Sequence, residues 1–304
     1  MKINCFQELC NFADKLGPKR LAVVMADNPT ALSAVSHADS RGIIKAILIG
    51  NCSKIKTILA EQNDRLLHSA EFINADESDA AAACAVSMAR KCDVDIILKV
   101  QIRTDQLLRV VLNKSSGLRT GSLLSDIMLY EDTLSELRRL VAITDGGINI
   151  SPDLIQKGQI LKNAVMVMHS LGFARPRIAL MSATEVVSEK VPSTLDAQTL
   201  TKQAQEGAFG ECEVFGPLAL DNALVLSAAQ AKGIASPVAG QADVMLVPNI
   251  EAGNLLGKAV KYYAKSQCAH VVVGAKIPIL IPSRVESVED KVNSIALGAI
   301  IHGS

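Results

Sequence analysis

Short, β-branched apolar runs recur along the first third of this chain, with starts about 25 residues apart and helical patterns between them; no other feature restricts the fold as much. RLAVVMA (20–26), KAILIG (45–50), AEFIN (70–74) and VDIILK (94–99) read as strands. TALSAVSHADSRG, closed by Gly42, and the stretches 52–62 and 76–91 read as helices, after an N-terminal helix that ends near Gly17-Pro18. Connections of this length are crossovers rather than hairpins, so the strands are expected to run parallel. SLLSDIMLYEDTLSEL reads as loop, strand and link, and RLVAITDGG then opens a second series. Ser151-Pro152-Asp153 reads as a helix start, with Ser151 as N-cap and Pro152 at the first helical position. After that long helix to Gly172 come strand PRIALMS, helix 194–207, strand ECEVFG, helix 218–232, strand DVMLVP, helix 254–266 and strand HVVVG. A single core rarely grows past roughly 250–300 residues, and the chain has 304. The expectation is two doubly wound α/β domains, 1–124 with 284–304 and 125–283.

The composition agrees: 49% hydrophobic residues with only 3% aromatic describes an Ala/Val/Ile/Leu interior, as helices on a parallel sheet require. Lys+Arg and Asp+Glu both number 31, which argues against a general nucleic-acid or polyanion binder; an anionic ligand must be held by local charge. One locally basic stretch exists, where Lys99, Arg103, Arg109, Lys114 and Arg119 face only Asp105, and it reads either as an anion site or as a solvated helix face. The seven cysteines are odd in number and scattered, mostly within apolar segments, and read as buried thiols of a reducing cytoplasm. No C-x-x-C or H-x-x-E spacing is present and the five histidines are dispersed, so no metal is expected. The N-terminal segment is neither a signal peptide nor a span, and no membrane partner is expected.

The chemistry-bearing stretch is IPSRVESVED, which places Ser283, Arg284 and Asp290 between an extended run (277–281) and a C-terminal helix with Val288, Val292, Ile295 and Ile300 on one side. Ser283-x-x-Glu286 and Ser287-x-x-Asp290 both fit a capping box. Continuous helix would hold Ser283 and Asp290 about 10 Å apart, so a shared site requires the loop to fold back. In open α/β sheets ligands bind beyond the carboxyl ends of strands. DGGINISPD, SATEVVSEKVPS, GPLALDN and PNIEAGN fall there, although each is also ordinary turn chemistry.

Taken in order, ITDGGINISPD, GPLALDNAL, AGQADVMLVPNIEAGN and PSRVESVED resemble the phosphate acetyl/butyryltransferase family, and PSTLDA (192–197) looks most like its phosphate butyryltransferase branch. The resemblance implies the reaction acyl-CoA + phosphate ⇌ acyl phosphate + CoA, with butyryl favoured, without metal or prosthetic group, CoA being a substrate. It further implies a homodimer of subunits with two isocitrate/isopropylmalate-dehydrogenase-like domains and an active site in the cleft between them. Ser283, Arg284 and Asp290 fall on the family's catalytic positions; Arg109, Lys99, Gly253 and Asn254 are the substrate-binding candidates. The chain departs from the family at Lys99-Val100, where Lys-Gly is usual, and at Phe215, where an acid is common. Chemically, the CoA thiol, with a pKa of about 8.5, needs a base, for which Asp290 is the candidate. Arg284 and Arg109 would fork onto phosphate and oxyanion, and Ser283 would donate to the oxyanion or sulfur. Two other readings stand beside this one: a non-catalytic module that senses acyl-CoA or acyl phosphate, and an NAD(P)- and metal-dependent decarboxylating dehydrogenase. The second requires clustered acids, whereas Asp145, Asp221 and Asp243 are dispersed in sequence.

Overall fold

The protein is represented by a computed structural model that describes residues 2–132, 139–283 and 285–303. The link expected after Asp132 and the candidate Arg284 lie outside the described residues.

In chain order the first series comprises α1 (Phe6–Ala13), β1 (Lys19–Val24), α2 (Pro29–Ser40), β2 (Ile44–Gly50), α3 (Cys52–Glu61), α4 (Leu66–Ser69), β3 (Glu71–Asn74), α5 (Ser78–Arg90), β4 (Ile96–Lys99) and α6 (Thr104–Val111). The second comprises β5 (Ser125–Asp132), β6 (Arg139–Thr144), α7 (Leu154–Ser170), β7 (Arg177–Met181), α8 (Pro192–Gln205), β8 (Glu213–Leu218), α9 (Leu220–Leu224), α10 (Leu226–Ala231), β9 (Val244–Leu246) and α11 (Ile250–Tyr262). The chain closes with β10 (Cys268–Val273), β11 (Ile279–Leu280) and α12 (Val288–His302).

Two compact units result: an N-terminal unit of Gln7–Ser122 with Cys268–Ser304, and a middle unit of Met1–Phe6 with Leu123–Gln267. They differ from the expected division at the chain start and at the return. Ile3 N–H donates to Leu171 O and Phe6 N–H to Glu131 Oε1, which ties the first residues to the middle unit. The return falls at Cys268 rather than 284, because β10 pairs with β11 and β11 with β4.

In the N-terminal unit β3, β2, β1, β4 and β11 lie side by side and parallel, with β10 antiparallel beyond β11. The chain builds outward from β1 to β2 and β3, then crosses to β4 on the other side. The carboxyl ends of β1 and β4 therefore border a topological switch point, the usual crevice for a ligand. β4 is buried throughout, as its unbroken apolar run requires of a strand covered on both faces. α2 starts there because Asn28 Oδ1 accepts the Ala31 N–H (2.9 Å) and Pro29 presets the first turn; it stops before Gly42, whose φ of +75° suits glycine.

In the middle unit β6, β9, β7 and β8 are parallel and β5 lies antiparallel on β6. Three expectations shift. The N-cap of α7 is Asp153, not Ser151: Asp153 Oδ1 accepts the Gln156 N–H (2.8 Å) and Gln156 Oε1 the Asp153 N–H (2.9 Å). The helix expected at 218–232 breaks at Val225 into α9 and α10. α11 begins at Ile250 rather than 254 because Asn249 Oδ1 takes the Ala252 N–H (3.0 Å), which brings Gly253 into the first turn and moves Asn254 on from the expected helix start.

The C-terminal helix departs most from its expected amphipathic form. Every residue of α12 from Asp290 to Ile301 is buried, since the helix lies between α2 on one side and β10, β11 and β4 on the other. A helix covered all round carries no polar face.

Candidate functional site

A shallow open pocket lies at the switch point of the N-terminal unit, where Asn28, Lys99, Val100, Pro282, Ser283 and Lys291 line it. β4 delivers Lys99 and Val100 at its carboxyl end, and the segment after β11 delivers Ser283. Asn28 marks the start of α2, whose positive dipole end favours an anion. Lys99 is buried, and so is Val100, whose N–H is held by Val24 O (3.1 Å). The valine side chain fills space that a glycine would leave as bare backbone.

The segment between Ser283 and α12 folds back. Glu286 N–H donates to Ser283 O (3.2 Å), and Glu286 Oε1 accepts the Ser283 N–H (2.8 Å), so this pair closes a turn rather than a helix. The helical capping box is the second one: Ser287 Oγ accepts the Asp290 N–H (3.1 Å), while Asp290 Oδ2 accepts the Ser287 N–H (3.2 Å) and hydroxyl (2.9 Å). Asp290 Oδ1 accepts the Cys268 N–H (2.9 Å), and the residue is 0% exposed. The aspartate thus ties α12 to β10, and Ser287, which is exposed, is its described route toward solvent. Lys291, also buried, donates to Glu286 O (2.5 Å) and Ser283 O (3.2 Å), pinning the turn onto the first turn of α12.

Lys291 was not among the sequence candidates. Its signal was present, because a lysine three residues after Val288 and four before Ile295 falls inside the apolar stripe.

The other candidates fall elsewhere. Arg109 lies on α6 and its Nη2 donates to both carboxylate oxygens of Asp79 on α5 (2.9 and 3.0 Å), with two-thirds of its side chain exposed; it does not line the pocket. Arg103 pairs with Asp105 (2.9 Å) and Lys114 and Arg119 are exposed, so apart from Lys99 the basic stretch is a solvated surface. Gly253 and Asn254 belong to the middle unit. A Cβ on Gly253 would stand 2.7 Å from Gly146 Cα, so the glycine permits α11 to touch the DGG turn, and Asn254 Nδ2 donates to Gly146 O (3.4 Å).

That turn holds Asp145, whose carboxyl is pushed up to about 6 by burial and by the neighbouring Asp126, against the N–H groups of Gly147 and Ile148 and the Asn149 amide. PSTLDA opens α8, where Asp196 pairs with the buried Lys157 (2.6 Å) and Ser193 meets Ser182 (2.8 Å) beside a second, shallow pocket. Apolar Met181, Leu200 and Leu246 complete its lining.

Among the described residues no helix is long and apolar enough to cross a membrane. The structure also assembles a cluster that no sequence spacing announced: Cys268 and His270 on β10 with Glu286 of the turn.

The profile of the family described as Phosphate acetyl/butaryl transferase matches residues 78–299. A phosphate acetyltransferase of Rickettsia prowazekii is 40% identical over 95% of this chain and 82% of its own length. A phosphate butyryltransferase of Clostridium acetobutylicum is 38% identical over 99% of each chain. Among solved structures, a branched-chain phosphotransacylase from Enterococcus faecalis V583 superposes with a TM-score of 0.83 at 27% identity, covering 93% of this chain and 99% of that one. With the profile spanning well over half of its residues and relatives aligned along nearly its whole length, the chain belongs to the phosphate acetyl/butyryltransferase family.

Proposed function

We propose that the protein transfers a short acyl group between CoA and inorganic phosphate, acyl-CoA + phosphate ⇌ acyl phosphate + CoA. The observation that carries this is the convergence of Lys99, Ser283 and the positive end of α2 on one pocket at the switch point, a place suited to a phosphoryl group in a chain of this family.

Lys99 and α2 hold the phosphoryl oxygens, and Ser283 donates to the oxyanion that forms as sulfur adds to the acyl carbonyl. Arg284, next to it in sequence, supplies the forked cation. Asp290 takes the thiol proton through Ser287, whose hydroxyl passes its own proton to Asp290 Oδ2 as it accepts the one from sulfur. Arg109 enters as a recognition residue for CoA phosphates if its pairing with Asp79 opens, and Gly253 with Asn254 fixes the turn of the middle unit. No metal or prosthetic group takes part in the reaction, and EDTA does not lower the turnover.

The acyl group is butyryl or a C3–C5 relative, a reading that rests on PSTLDA at the second pocket, where Met181, Leu200 and Leu246 lie beside the Lys157–Asp196 pair. The protein works in the cytoplasm as a homodimer. For the dimer the support is an exposed apolar set on the middle unit: Leu255 and Tyr262, seven residues apart on α11, with Tyr263, Ile150 and Ile155.

The test is CoA release, followed by thiol titration, from acetyl-, propionyl-, butyryl- and isobutyryl-CoA with and without phosphate. Release is expected only with phosphate, with the highest kcat/KM at three to five carbons. A higher kcat/KM for acetyl-CoA would refute the chain-length assignment, and no release from any of the four would leave a ligand-sensing role.

A further inference from the structure

We propose that Cys268, His270 and Glu286 form a binding site for a thiophilic divalent cation of the zinc type, and that its occupation slows the enzyme. Cys268 and His270 are two apart on β10 and share a face of the strand. The turn before α12 brings Glu286 over that face, so that the thiol sulfur, a ring nitrogen and a carboxylate oxygen lie within 4.8 Å of one another. His270 Nε2 is 3.7 Å from Glu286 Oε1.

The second observation is an orphan. Glu286 Oε2 is buried and accepts no hydrogen bond among the described residues, in a side chain only 6% exposed. A buried carboxylate oxygen without a donor costs free energy, and a cation removes that cost. Sulfur, nitrogen and oxygen donors together suit zinc, with water in the fourth tetrahedral position. On binding, the Cys268 thiol loses its proton to solvent, and thiolate and carboxylate balance the two positive charges. The His270 side chain, 19% exposed, is the side open to solvent. Ligand atoms around zinc stand closer than 4.8 Å, so binding draws Glu286 toward β10.

That movement reaches the pocket, because Glu286 Oε1 holds the Ser283 N–H and Lys291 bridges the Glu286 and Ser283 carbonyls. Zinc therefore displaces the Ser283 turn and opposes productive substrate binding. The inhibitory half rests on the acyltransfer reading; the site itself does not.

The experiment uses EDTA-treated, desalted full-length protein with zinc chloride as the probe. Binding is read by titration calorimetry and by competition with a chromogenic chelator, and turnover is read separately. Wild type is expected to bind one zinc per chain and lose turnover as zinc rises. Cys268→Ala and His270→Gln should each bind about tenfold or more weakly, and Cys268→Ala should keep its zinc-free turnover under zinc that inhibits wild type. Two variants guard against one that fails to fold. Absence of binding to wild type, or equal binding by Cys268→Ala, overturns the site. Zinc binding at this site with undiminished turnover overturns its coupling to the pocket. Absence of turnover in zinc-free protein, with zinc binding intact, counts against the acyltransfer reading alone.

Discussion

Asp290 accepts from the Cys268 N–H and from both the N–H and hydroxyl of Ser287, so its structural role and the base role proposed for it fall on one carboxylate. The two roles separate in measurement. A lost helix cap typically costs about 1 kcal/mol, whereas loss of a general base lowers kcat by about 10²-fold or more. Asp290→Asn is expected to do both; a lowered Tm with near wild-type kcat would make the aspartate a cap alone. Ser287→Ala is expected to follow it in kcat with KM for CoA little changed, and full turnover in that variant would remove the proton route.

Asp145 supplies a pH test in the middle unit. Its carboxyl is raised to about 6, by burial first and Asp126 second, while the unfolded value is about 3.9. The folded state therefore holds a proton that the unfolded state has already lost. This contribution to stability is full below the unfolded value and is lost as pH rises through about 6. Urea unfolding between pH 4 and 7 should show a steeper fall with pH for wild type than for Asp145→Asn, by at most about 1.4 kcal/mol per unit. Equal slopes would exclude the raised carboxyl.

At the scale of elements, two helix placements can be tested. α11 meets the DGG turn through Gly253, where a Cβ would lie 2.7 Å from Gly146 Cα, 2.9 Å from Val247 Cγ2 and 3.0 Å from Asp145 O. Backbone on the far side cannot yield cheaply, so Gly253→Ala should cost about 1–3 kcal/mol. Gly257, one turn on, faces only the flexible Met128 side chain, at 2.9 Å from its sulfur. Gly257→Ala is the near-neutral control, and equal Tm losses would show that the close approach is not what the glycine serves. In the N-terminal unit, Lys291→Met keeps the buried bulk but removes the ammonium donor from Glu286 O and from Ser283 O, of which Ser283 O keeps the Glu286 N–H. It should destabilise by roughly 1–3 kcal/mol and raise KM for phosphate as the Ser283 turn loosens. An unchanged KM would separate the turn from the pocket.

At the scale of the molecule, the exposed Leu255 and Tyr262 of α11 support the proposed homodimer, and light scattering that shows a monomer at micromolar concentration would refute it. What sequence could determine was what is local or periodic. Apolar runs such as VDIILK set parallel, doubly covered strands because burial on both faces needs continuous hydrophobicity, and Asn28-Pro29 set the start of α2 through its own side chain. The Ser287-x-x-Asp290 box was legible for the same reason. The chemistry proposed for Ser283, Arg284 and Asp290 rests on resemblance alone, since the local pattern equally describes a cap. Tertiary structure alone decided the rest. Burial on every face of α12 depends on its place between α2 and the sheet, which no helical period encodes. Lys291 reaches Ser283 O only because the turn folds back, and Arg109 meets Asp79 only because α5 and α6 pack together. Cys268, His270 and Glu286 meet because β10 runs under the turn before α12; proximity across 16 residues of chain is set by packing, whose energy comes from the surrounding core and not from the residues brought together.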